Sequence, residues 1–91
     1  MLSCVDNIFK KYDYNNIAIH KNTLKNHNTR DNAWIAINNN VYSIRKDDIL
    51  LLDIFKNLYG TNVKKFIINN NLKDRIILLE KLQQRKIGYL V

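Results

Sequence analysis

The sequence predicts a small α+β domain preceded by an extra N-terminal helix. Three observations predict it. The stretch "DNAWIAINNNVYSI", residues 31–44, alternates apolar and polar residues on either side of an asparagine turn, which is the pattern of a β-hairpin. Several short runs instead repeat apolar residues at helical spacing between residues able to cap them. The chain is 91 residues long with 46% hydrophobic residues, enough for one domain with one modest core and too apolar for a disordered segment.

Taken in order, Val5, Ile8, Phe9 and Tyr12 fall at i, i+3, i+4 and i+7, one face of a short helix. Ser3 can cap it, and Asp6 lies in its first turn, where the helix dipole favours an anion. "YDYNN" breaks it, and "IAIH", residues 17–20, reads as a short strand. Asn22 or Thr23 can cap a brief helix, "LKNHN", whose end at Asn28 suits a left-handed residue. The hairpin follows, with Trp34 and Ala36 on one side and Ile35 and Ile37 on the other. Its turn residues 38–40 tolerate positive φ. Asp47 or Asp48 can cap "ILLLDIFKNLY", with an apolar stripe of Leu51, Ile54, Phe55 and Leu58 and an end at Gly60. Thr61 or Asn62 can cap "VKKFI". One of Asn69, Asn70 and Asn71 can start the last helix, "LKDRIILLEKLQQRK", with Ile76, Leu79 and Leu82 on one face. "IGYLV" closes the chain as a strand, and there are no repeats and no linker.

The order of these pieces resembles the cytochrome b5-like haem- and steroid-binding domain family. "TLKNHNTRDNAWIAINNNVYSI" is similar to that family's opening: a helix ending in His-Asn, a Trp-led strand, an asparagine turn and a Val-Tyr strand. "IFKNLYGTNVKKFI" is similar to its helix–Gly–helix passage, usually Ala-Gly-x-Asp-Ala-Thr-x-x-Phe, and "LLEKLQQRKIGYLV" to its last helix followed by Ile-Gly-x-Leu. The resemblance covers residues 17–91 and leaves residues 1–16 as an N-terminal helical extension. It implies a small mixed sheet with helices forming a haem cleft.

The same resemblance exposes what is missing. A b-type haem is held by its iron–ligand bonds and by apolar contacts around the ring. The family supplies one axial histidine from a His-Pro-Gly-Gly loop after the Val-Tyr strand and a second after the helix that follows the Phe. Here those segments read "SIRKDDILLLD" and "IINNNLKDR", with no histidine in either. The two histidines of the chain, His20 and His27, flank the first helix of the family domain, on the side the family keeps away from haem. Met1, Cys4 and the tyrosines have no spacing that brings two ligands together, and Cys4, His20 and His27 do not form a zinc motif. No haem or other cofactor is expected, so the resemblance implies a degenerate member that has lost haem ligation and redox chemistry.

Other chemistry is equally bare. There is no nucleophile–base signature, and Gly60 and Gly88 make no phosphate loop, so an enzyme is not expected. The net charge is +7, where electron-transfer members of the family present an acidic face. The lysines are scattered, without the clustering of a nucleic-acid footprint. The abundance of Asn, Ile, Lys and Tyr follows A/T-rich codons, as in an AT-rich viral or protozoan genome, so surplus lysine carries little functional weight. No apolar run has the length of a membrane span, the N-terminus lacks a secretory layout, and a single cysteine permits no intrachain disulfide. An intracellular, cytoplasmic protein is expected, in the host cytoplasm or virion if the genome is viral.

The expected function is that of a haem-free protein-interaction or scaffold module, bound to a protein partner or to itself. Its interaction candidates are Val5, Ile8, Phe9 and Tyr12 on the first helix, and Leu51 and Phe55 in "ILLLDIF", which is expected to fill the vacated haem pocket. Two alternatives predict different behaviour. A haem-binding electron-transfer protein with non-standard ligands would be coloured. A basic nucleic-acid or anionic-surface binder would lose affinity steeply with salt.

Overall fold

A computed structural model of the chain describes residues 17–72 and 75–91. The first helix of the sequence reading, with Val5, Ile8, Phe9 and Tyr12, lies outside them. The described residues form a five-stranded mixed sheet and four helices: β1 (Ile17–Ile19), α1 (Lys21–Asn26), β2 (Asn28–Thr29), β3 (Asn32–Ile37), β4 (Asn40–Ile44), α2 (Ile49–Ile54), α3 (Lys64–Asn69), α4 (Ile76–Gln84) and β5 (Lys86–Leu90).

The hairpin forms as its alternation predicts. Trp34 faces Ser43, Ile35 faces Tyr42 and Ala36 faces Val41, across a turn in which Asn38 takes φ 58°. The strand order is β1-β5-β4-β3-β2, with β1 parallel to β5 and the other pairs antiparallel. Beyond the two-residue β2, residues 60–63 continue along β3. Gly60 N–H donates to Trp34 O at 2.6 Å, Ala36 N–H to Thr61 O at 2.9 Å, and Val63 N–H to Ala36 O at 2.8 Å.

Period-two alternation sorts the side chains onto two faces. Ala33, Ile35 and Ile44 join Leu51, Leu52, Phe55, Val63, Ile67, Leu72, Leu78 and Leu82 in the main core, beneath α2, α3 and α4. Ala36 and Val41 join Ile19 and Leu24 on the other face, against α1, with Trp34, Ile87 and Leu90 packed around them. The sheet therefore separates α1 from the three-helix layer.

Helix boundaries depart from the sequence reading, for local reasons. α1 starts at Lys21, because His20 serves as its N-cap, its Nδ1 accepting from Asn22 N–H at 3.3 Å in place of an Asn22 or Thr23 cap. Asn28 enters β2 and takes no left-handed turn. α2 stops at Ile54, short of Gly60, where Asn57 takes φ 69° and turns the chain, a conformation Asn tolerates through its short polar side chain. Val63 takes the N-cap position of α3 in place of Thr61 or Asn62, without a side-chain cap bond, and Asn62 Oδ1 accepts from Lys64 N–H at 3.0 Å from just outside the helix. The asparagines at 69–71 close α3 where they were expected to open the last helix. Asn70 Nδ2 donates to Phe66 O at 2.8 Å and Asn71 takes φ 57°, so α4 begins only at Ile76. The buried face of α4 is also rotated: Leu78 and Leu82 are enclosed, while Ile76 is 68% exposed.

Candidate functional site: an apolar groove on the helical layer

The starts of α2 and α4 stand side by side on the outer surface of the helical layer. Between them lies a groove of about 370 Å³, lined by Leu50, Arg75, Ile76, Ile77 and Leu78. Leu78 is its buried floor, and Leu50, Ile76 and Ile77 are its exposed walls, with Ile77 67% exposed. Ile49 beside Leu50 and Leu79 beside Leu78 extend the exposed apolar surface. Apolar side chains of this size gathered at one place mark a contact surface more often than scattered single ones do. Arg75, the N-cap residue of α4, is the one charged side chain in the lining among the described residues.

Away from the groove lies an ion pair that the sequence reading missed. Asp48, expected as a helix cap, makes no side-chain cap bond to α2. It is buried, and Arg85 Nε and Nη2 donate to its Oδ2 and Oδ1 at 2.6 and 2.8 Å, while Arg45 N–H donates to Oδ2 at 3.1 Å. The guanidinium hydrogen bonds hold the carboxyl below the ordinary carboxylate range, against the opposing effect of burial, and the Arg45 amide adds to them. The same bonds raise the Arg85 guanidinium. Because Asp48 precedes α2 and Arg85 follows α4, the pair ties the start of α2 to the end of α4 across 37 residues of sequence.

The other predicted residues fall elsewhere. Leu51 and Phe55 are fully buried in the main core, so within the domain they are packing residues; the exposed positions of that helix are Ile49 and Leu50. His27 stacks on Trp34 with ring centroids 3.4 Å apart, and its Nδ1 lies 2.8 Å from Asn32 Oδ1. Both His20 and His27 flank α1, across the sheet from the groove. Met1 and Cys4 lie outside the described residues. Among the described residues, no three His, Cys, Asp or Glu side chains cluster as a metal site, and no helix is long and apolar enough to cross a membrane.

The sequence carried one usable signal for the groove. "IILL", residues 76–79, gives four apolar residues in succession where a half-buried helix has room to enclose only some of them. No family model and no curated protein matches this chain.

Proposed function

We propose that this chain is a haem-free cytochrome b5-like domain that acts, without catalysis, as a protein-interaction module inside the cell, and that the α2–α4 groove is its contact surface. The observation that carries this reading is the groove itself. It lies where the two segments that hold axial histidines in the resembled family come together: Leu50 belongs to "SIRKDDILLLD" and Arg75 ends "IINNNLKDR". In place of ligands the first brings the aliphatic Leu50 and the second Arg75, with Ile76 and Ile77 directly after it.

The donor set of the helical layer does not fit a bis-histidine haem. Among the described residues its interior is Leu51, Leu52, Phe55, Val63, Ile67, Leu72, Leu78 and Leu82, with no nitrogen or sulfur ligand among them, and the two histidines are on the far side of the sheet. Filling the former pocket with these side chains removes the cost of leaving an apolar cleft open to water. What remains at the surface is a shallow apolar groove suited to side chains of another polypeptide segment, in the manner of helix-in-groove recognition.

The test is a haemin titration of the purified chain, followed in the Soret region. The expected result is absorbance no different from free haemin. A saturable low-spin spectrum at one haem per chain would overturn the proposal and restore electron transfer. Partner capture repeated at rising salt separates the remaining alternative. Binding through the groove persists at moderate salt, whereas a nucleic-acid or anionic-surface binder weakens steeply.

A further inference from the structure

We propose that the pocket where β4, the end of α4 and the start of β5 meet is a binding site for the phosphate group of a small phosphate ester. The site is separate from the α2–α4 groove, and neither depends on the other. Three features of the pocket point to it: which side chains the fold gathers there, which donors they offer, and what charge is left over.

The pocket measures about 250 Å³ and is lined by Ser43, Arg45, Gln84, Arg85, Lys86 and Ile87. Basic residues that are scattered along the sequence thus meet here, because the sheet joins two segments far apart in the chain. Ser43 N–H donates to Arg85 O at 2.9 Å, which sets the two segments side by side. Val41 pairs with Gly88 but Tyr42 pairs with Lys86, so β5 carries one extra residue, Ile87, at this point. A bulge of this kind interrupts the alternation of faces and re-aims side chains. Lys86 and Ile87 accordingly both line the pocket, where a regular strand would send consecutive residues to opposite faces.

The lining offers the donors that a phosphate takes: two guanidinium groups, an ammonium, an amide and a hydroxyl. Ile87 adds an apolar patch suited to the carbon of an ester. Asp48 takes Nε and Nη2 of Arg85, which fixes that guanidinium and leaves Nη1 outside the pair. Among the described residues no carboxylate lines the pocket. Asp47 lies 3.7 Å from Arg45 Nε, with both side chains mostly exposed, and an ion pair of that kind holds its partner weakly. Arg45 and Lys86 therefore supply surplus positive charge, more than the roughly half a negative charge at the C-terminal end of α4. A small ester suits the pocket better than a nucleic-acid backbone does. Lys21 and Lys25 belong to α1 and Lys64 and Lys65 to α3, so these cations do not extend the pocket into the track that a polynucleotide follows.

The test is a titration of the full, isotope-labelled chain with inorganic phosphate and with glycerol phosphate at constant ionic strength, followed by amide chemical shifts. Saturable shifts are expected at Ser43, Arg45 and Lys86 and not at Lys21 or Lys25, with glycerol phosphate bound at least as tightly as inorganic phosphate. Arg45→Gln and Lys86→Gln are each expected to weaken binding about tenfold, the loss of one charge-assisted hydrogen bond. Arg45 is exposed, so its substitution leaves the fold intact and carries the test by itself if Lys86→Gln does not fold. Lys64→Gln is expected to leave the affinity unchanged. Shifts that rise without saturation at every lysine alike would overturn the proposal, as would an affinity that Arg45→Gln does not lower. A single-stranded oligonucleotide without a terminal phosphate that binds more tightly than glycerol phosphate and displaces it would overturn the proposal in favour of a nucleic-acid backbone.

Discussion

Asp48 is 4% exposed, with both carboxylate oxygens on Arg85. Removing its charge leaves a half-buried guanidinium without an anion. Asp48→Asn is therefore expected to cost about 2–3 kcal/mol, read as a lower denaturant midpoint with an unchanged slope. The pH dependence has a definite sign. The folded carboxyl sits below its ordinary value of 3.8, so its contribution is complete well above that value. It is lost as the pH falls from there through the depressed folded value. The wild-type chain should lose stability in this acid range by more than Asp48→Asn does. A parallel acid response in both chains would show that the pair contributes nothing. Gly88 imposes a different constraint. A Cβ there would stand 1.9 Å from the Ile17 carbonyl oxygen, so Gly88→Ala must push β1 away from β5. The expected cost is about 2–3 kcal/mol, with the loss of the Ile17–Ile19 pairing. The Ile-Gly-x-Leu resemblance thus has a steric cause: backbone passes where a side chain would stand.

The helices show why some elements were legible in the sequence and others were not. α1, α2 and α3 are six residues each, too short to be stable alone, so packing decides where they begin and end. The hairpin, by contrast, was readable in full, because alternation and a turn residue fix both face and register within a dozen residues. For α4 the run "IILL" is apolar at every phase, and only the sheet beneath it chooses Leu78 and Leu82 over Ile76 and Leu79. This difference predicts opposite outcomes at neighbouring positions. Leu78→Ala should cost about 2–5 kcal/mol through the cavity it leaves. Ile77→Lys should change stability by no more than about 0.5 kcal/mol, because that side chain is already 67% exposed. Equal costs in thermal unfolding would contradict the phase of the helix. The Asp48–Arg85 clamp was illegible for another reason: its partners are far apart in sequence, and each taken alone looks like an ordinary helix-end charge.

At the scale of the molecule, one sheet divides two environments. The histidine-bearing α1 lies on one face, and on the other lies a core dense enough in Leu, Ile, Val and Phe to close itself. The order of strands was not derivable from local pattern, since a three-residue strand carries no mark of the partner it will find. That pairing also sets a sequence of events. β1 and β5 join positions near opposite ends of the described chain, Ile17 beside Gly88 and Ile19 beside Leu90, and a contact across so long a loop forms late in folding. The other four strands and the three-helix layer can assemble without it. β1 is then the seam of the domain, the last stitch sewn and the first to open, and its Ala18 and Ile19 amides should exchange with solvent before those of Ile35 and Val41. A seam placed there lets the sheet open at its β1 edge while the hairpin and its core stay folded.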